Sequence, residues 1–135
     1  MNRFECAIVA AALCAAGCHN LVITVEAPRD LNNERPVRML VRAVERGEFS
    51  SESYQRVSDK VVSHDDSVLA SKPIYPGLIS TAEVTKPTGK SVAVYFFFMS
   101  PSPGGEWKTL LEAPLPYSAR IQLGADTIRV VERAR

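Results

Sequence analysis

The 135-residue chain is poor in the groups that carry most enzyme chemistry, with three cysteines and two histidines. Cys/His zinc sites and disulfide frameworks need more such residues, at set spacings, than are present. A charge of one sign is missing as well. Sixteen Lys and Arg stand against fifteen Asp and Glu, a formal net charge of +1, so there is no electrostatic footprint for nucleic acid or another polyanion. The longest apolar run, Cys6 to Cys18, falls short of the roughly 20 residues of a spanning helix. Internal repeats, linkers and low-complexity segments are absent. An apolar fraction of 46% beside 23% charged residues is that of one folded domain and not of a disordered chain.

Catalytic motifs are also wanting. The chain has no GxSxG elbow, P-loop, GxGxxG or HExxH. Ser63-His64-Asp65 holds the residue types of a triad, but sequence neighbours cannot converge as triad members must, and the segment reads as a turn. His64, Asp65 and Asp66, with Asp59 a helical turn away, lack two further spaced ligands for a metal. Gly104-Gly105 lies in a Pro/Gly turn and not before a helix, so it is no phosphate cradle. The reading is a protein that is not an enzyme and uses no metal or cofactor.

What is present begins at the N-terminus. Met1-Asn2-Arg3 is a short basic start, Cys6 to Ala16 an apolar stretch of small residues, and Ala15-Ala16-Gly17 stands directly before Cys18. Short side chains fit beside the scissile bond of a signal peptidase, and a cysteine in this place resembles the bacterial lipobox. Residues 1–17 are therefore expected to be a lipoprotein signal peptide, with Cys18 acylated and first in the mature protein. A plain secretory signal cut after Gly17 is the alternative. Cys6 and Cys14 leave with the signal, so an acylated Cys18 leaves no free thiol. By the sorting habit of lipoproteins, His19 where Asp favours retention implies the outer membrane. Only His19 and Asn20 separate Cys18 from the first strand, a tether of about 10 Å. A domain over 21–135 must then lie against the lipid surface.

That domain reads as β. Fourteen valines and all nine prolines follow residue 18, and the prolines leave room for short strands between breaks. Alternation marks Leu21–Ala27 and Val37–Val44, with Val37, Met39, Val41 and Ala43 on one face and Arg38 and Arg42 on the other. Ser50-Ser51-Glu52 predicts a helix over about 51–62, with Ser as N-cap and Tyr54, Val57 and Val61 on its apolar face. Further strands are expected at Ser67–Ser71, Leu78–Thr85, Ser91–Met99, Glu106–Leu111, Ala119–Leu123 and Thr127–Val131, the last two joined by a tight turn at Gly124-Ala125-Asp126. Eight such strands make an all-β, two-sheet sandwich with one short helix after the second strand. Tyr95-Phe96-Phe97-Phe98 would put rings on both faces of its strand. Either the helix covers Tyr95 and Phe97, through Tyr54 and Val57, or they form an exposed binding strip.

Between the first two strands, Arg29, Asp30, Leu31, Asn32, Asn33, Glu34 and Arg35 form a polar loop bracketed by Pro28 and Pro36. Prolines at both ends and asparagines in its turn pre-organise such a loop. The order of a lipobox, a strand, this loop, Arg35-Pro36-Val37, Val41-Arg42, Phe49, a helix, Pro76-Gly77, an apolar strand and Trp107 resembles the outer-membrane lipoproteins of type VI secretion systems, the TssJ/SciN family. That resemblance implies a transthyretin-like sandwich of two four-stranded sheets, lipid-anchored in the outer membrane and facing the periplasm. It also implies a partner, the periplasmic C-terminal region of a large inner-membrane secretion protein, bound largely by Arg29–Arg35. The alternative is a pilotin or assembly chaperone that binds a secretin segment through the Tyr95–Phe98 strip.

Overall fold

Leu21, Ile23 and Val25 are fully buried while Val22, Thr24 and Glu26 are only partly so. This period-two alternation is what a strand with one core face requires. Residues 19–63 and 65–134 are described in a computed structural model; the expected signal peptide 1–17, Cys18, His64 and Arg135 lie outside the described residues. The elements are β1 (Asn20–Glu26), β2 (Val37–Val44), α1 (Arg46–Ser51), α2 (Tyr54–Ser63), β3 (Val68–Ile74), β4 (Ile79–Thr85), β5 (Ser91–Phe97), β6 (Lys108–Leu111), β7 (Ser118–Leu123) and β8 (Ile128–Ala134). Among the described residues no helix is long and apolar enough to cross a membrane.

The strands form two four-stranded sheets, ordered β4-β1-β7-β8 and β3-β2-β5-β6. Neighbours are antiparallel except for β1 and β7, which run parallel. The all-β, two-sheet sandwich of eight strands is as expected. Between the sheets lies a core that includes Leu21, Ile23, Val37, Met39, Val41, Phe96, Phe98 and Ile121. A second cluster on the outer face of the second sheet joins Leu40, Val44, Ala93 and Tyr95 to Val57 of α2. The aromatic run is therefore buried on both sides. Phe96 and Phe98 enter the inter-sheet core, and Tyr54 of α2 meets the Phe97 ring edge-on at 5.3 Å.

Several boundaries differ from expectation for identifiable reasons. The helical stretch after β2 is two helices, broken where Glu52 is extended at φ −75°, ψ 129°. Ser53, and not Ser50, caps α2, its hydroxyl accepting from the Arg56 amide at 3.3 Å. β3 continues through Pro73 to Ile74, which an edge strand tolerates because its outer amides need no partner. Arg42 is the larger departure. Alternation directs it away from the core, as expected, but that face is roofed by the helices, and Arg42 is only 2% exposed.

Strand direction sorts the connections between the two ends of the sandwich. Val37 pairs with Ile74, Glu26 with both Ile79 and Gln122, and Arg38 with Phe97. The β1–β2, β3–β4, β5–β6 and β7–β8 connections therefore share one end. At the other end lie His19, the β4–β5 loop, the β6–β7 segment and the close of β8, since Asn20 pairs with Thr85 and Ser118 with Ala134.

Candidate functional site

The β1–β2 loop is built to keep one shape. The Pro28 carbonyl accepts from the amides of Leu31 and Gly77, each at 3.1 Å. A single 3-10 turn, Leu31–Asn33, follows. Asn32, Asn33 and Glu34 then take φ of 48°, 61° and 62° in succession, left-handed values that asparagine tolerates and glutamate does not favour. The Arg35 amide closes the loop on the Leu31 carbonyl at 3.1 Å.

Two residues turn inward and hold the rest. Leu31 is fully buried in the inter-sheet core. Asn32 donates its amide to the Ala125 carbonyl at 2.7 Å and its side-chain NH2 to the Pro36 carbonyl at 2.9 Å, while its Oδ1 accepts from the Met99 amide at 2.8 Å. One asparagine thus ties the loop to the β7–β8 turn and to the exit of β5. Of the seven residues expected to meet a partner, Arg29, Asp30, Asn33, Glu34 and Arg35 are exposed, and Leu31 and Asn32 are internal supports.

The exposed part carries two cations and two anions, none of them in a salt bridge among the described residues. Arg35 reaches the Met99 sulfur at 3.7 Å. Beside it is a shallow hollow of about 280 Å³ lined by Asp30, Asn32, Asn33, Met99, Ser100 and Asp126. Tyr75 and Leu78 stand exposed on the neighbouring β3–β4 turn, and Ile79 at the start of β4. Gly77 holds that turn at φ +75°, with the Arg29 Cγ 3.4 Å from where a Cβ would sit. The end therefore offers fixed charges beside apolar side chains, which suits a protein surface. Tyr75, Leu78 and Met99 were not singled out from the sequence. Ile79 carried a signal, because β4 alternation sends Ile79, Thr81, Glu83 and Thr85 outward.

A second polar constellation lies under the helices. Arg42 donates to Glu52 at 2.5 Å, Glu48 at 3.2 Å, the Tyr95 hydroxyl oxygen at 3.2 Å and the Ser67 hydroxyl at 2.9 Å. Tyr95 in turn donates to Glu52 at 2.9 Å. Burial first, and then Glu52, pushes the Tyr95 phenol well above its ordinary pKa. Lys108 donates to the carbonyls of Phe49 and Glu52, at 2.5 and 3.1 Å, and burial lowers its pKa. Every partner here is structural, so the cluster works as a clasp between helices and sheet. Among the described residues no three His, Cys, Asp or Glu gather as a metal site. Asp65 is occupied by Ser67 and Lys60. His64 and the expected lipidation residue Cys18 lie outside the described residues.

The family model described as IglE, N-terminal domain, matches residues 38–123, from β2 to the end of β7. No curated protein matches the chain. Solved structures share the fold. Serratia marcescens Lip, described as a membrane bound component of the type VI secretion system, is 17% identical over 84% of this chain and 98% of its own, with a TM-score of 0.69. The T6SS lipoprotein TssJ1 from Pseudomonas aeruginosa is 19% identical over 86% and 98%, at 0.65. A chain in a structure described as the T6SS protein TssM C-terminal domain from EAEC is 16% identical over 85% and 98%, at 0.68.

Proposed function

Because the chain belongs to the family of the IglE N-terminal domain, we propose that it is a lipid-anchored periplasmic docking protein of a type VI secretion system. In this reading Cys18 is acylated after removal of 1–17 and holds the chain in the outer membrane. The exposed residues Arg29, Asp30, Asn33, Glu34 and Arg35 receive the periplasmic C-terminal region of a large inner-membrane component. The fold shared with Lip and TssJ1 supports this assignment, as does the match to a chain from a structure described by a TssM C-terminal domain.

One observation carries the reading. His19, next to the lipidation residue, and the β1–β2 loop stand at opposite ends of β1. Seven residues of strand separate them by roughly 20 Å, so a chain anchored at one end presents the loop away from the lipid. The pilotin reading loses its surface, since the Tyr95–Phe98 strip is covered on both faces.

The test is binding of the full acylated chain, in detergent, to the purified periplasmic C-terminal region of the inner-membrane component of its own secretion system. The parent should bind, and an Asp30→Ala/Arg35→Ala variant should bind at least about tenfold more weakly. No binding by the parent, or equal binding by the variant, rejects the docking role.

A further inference from the structure

The end of the sandwich opposite the loop has chemistry of its own. The Lys86 amide donates to the His19 carbonyl at 2.7 Å, one residue from the expected acylation point. The Lys86 ammonium stands 5.0 Å from the centre of the Tyr117 ring and reaches the Leu115 carbonyl at 3.4 Å. Tyr117 is tied into the sheet through its backbone, its carbonyl accepting from Val22 and its amide donating to Ala134, yet it is 55% exposed. The β4–β5 loop turns at Gly89, φ +71°, and leaves Thr88, Gly89 and Lys90 exposed. Neither Lys86 nor Lys90 is salt-bridged among the described residues.

Two carboxylates toward this end are engaged. Glu83 accepts from the Asn20 side chain at 2.9 Å, and Glu112 pairs with Arg46 at 3.4 Å. Glu45 is exposed and stands across from Lys90, since Val44 pairs with Ser91, and Asp66 is exposed on the same second sheet. The surface around the start of the domain thus carries an exposed tyrosine beside the Lys86 ammonium, with Lys90 exposed on the same β4–β5 loop. A tyrosine with an apolar body and a polar tip suits the headgroup level of a bilayer, and lysines there meet lipid phosphates. Asn20 is already in β1 and His19 is held by Lys86, so this end meets the membrane whenever Cys18 carries the lipid.

We propose that Tyr117, Lys86 and Lys90 form a membrane-seating face that docks the domain on an anionic lipid leaflet and so holds the β1–β2 loop pointing away from it. The inference rests on acylation of Cys18 and adds a defined orientation to the anchor. Acylation already holds one end of β1 at the lipid, and the seating face fixes the angle at which the sandwich stands on it. With it, β1 becomes a fixed spacer.

The acylated protein has no free thiol, so a single introduced cysteine can carry an environment-sensitive fluorophore. Thr88→Cys labels the proposed face, and Ser100→Cys labels the loop end. Each is reconstituted into vesicles of phosphatidylethanolamine and phosphatidylglycerol, and flotation is measured in parallel. The probe at 88 should brighten and shift to the blue on reconstitution, while the probe at 100 stays as in detergent-free buffer. Lys86→Gln/Lys90→Gln/Tyr117→Ser in the Thr88→Cys chain should abolish that shift with flotation, and emission of Trp107, unchanged. A chain that floats with a silent probe at 88, or with equal shifts at both sites, overturns the seating face and leaves the anchor standing. A triple variant that keeps the full shift also overturns it. A chain that does not float removes the anchor itself, and the face with it.

Discussion

Arg42 illustrates how much a single buried charge can decide. Its guanidinium is held by Glu52, Glu48, Tyr95 and Ser67, and such a pair is stable only while every member is satisfied. Arg42→Met should lower stability by about 3–5 kcal/mol, because Glu52 is left charged and unpaired. Arg42→Met/Glu52→Leu should recover much of that loss, as urea midpoints of the two variants would show. Asp65 supplies a pH prediction. Hydrogen bonds from the Ser67 hydroxyl and amide, and then the Lys60 ammonium, hold its carboxyl well below the usual carboxylate range. A depressed folded-state pKa stabilises the fold above the unfolded value of about 3.9, and that contribution drains away as pH falls below it. Parent and Asp65→Asn should therefore differ in urea midpoint at neutral pH and approach each other as the pH drops below about 4. At Glu34, φ 62° is costly for a glutamate. Glu34→Gly should raise stability by roughly 0.5–1 kcal/mol, the left-handed penalty exceeding the entropy that glycine adds to the unfolded chain.

Among elements, the β1–β2 loop and α2 depend on different anchors. The loop's shape comes from Leu31 and Asn32, and its exposed charges contribute no pairing to the fold. Asn32→Ala removes the bonds to Pro36 and to the Met99 amide and should cost about 2 kcal/mol. It should also weaken partner binding, although Asn32 is buried, because a loop that must be ordered on binding adds that entropy to the cost. Asp30→Ala/Arg35→Ala should leave the thermal midpoint unchanged within error. Helix α2 rests on Val57, fully buried against Leu40 and Tyr95, and on the Tyr54 hydroxyl, which donates to the Phe98 carbonyl at 2.9 Å. Val57→Asp should lift the helix and expose Phe97 and Trp107, read as a red shift of Trp107 emission and as aggregation. The inter-sheet core meets those contacts only at Trp107 and the Phe98 backbone, so far-UV strand signal should survive.

For the whole molecule, the ordering of the strands matters most. The parallel β1–β7 pair and the antiparallel neighbours send four connections to one end and leave His19 at the other. A lipid at Cys18 and a partner at Arg29–Arg35 can therefore act at once without competing for space. Cys18→Ser should release the protein into the soluble periplasmic fraction with its binding to the partner domain intact. Loss of that binding in soluble form would mean that the two ends are not independent.

The sequence alone determined whatever depends on neighbours along the chain. Prolines and the Gly124–Asp126 turn bound strands locally, and alternation in Leu21–Val25 and Val37–Val41 and the aromatic run from Tyr95 to Phe98 declare strand faces, because side-chain direction in a strand has period two. The polar loop between two prolines was legible for the same reason. Tertiary structure decided which of its residues face out. Nothing in Arg29–Arg35 distinguishes the buried Asn32 from the exposed Asn33 until Ala125 and Met99, far along the chain, arrive with a carbonyl and an amide to bind it. The burial of Arg42 was illegible on the same ground. Period two directs it away from the core, but only the two helices folding over that face turn an outward arginine into a buried one. The pairing of Tyr117, Lys86 and His19 arises from strands distant in sequence, and hydrophobic periodicity carries no information about which strand lies beside which.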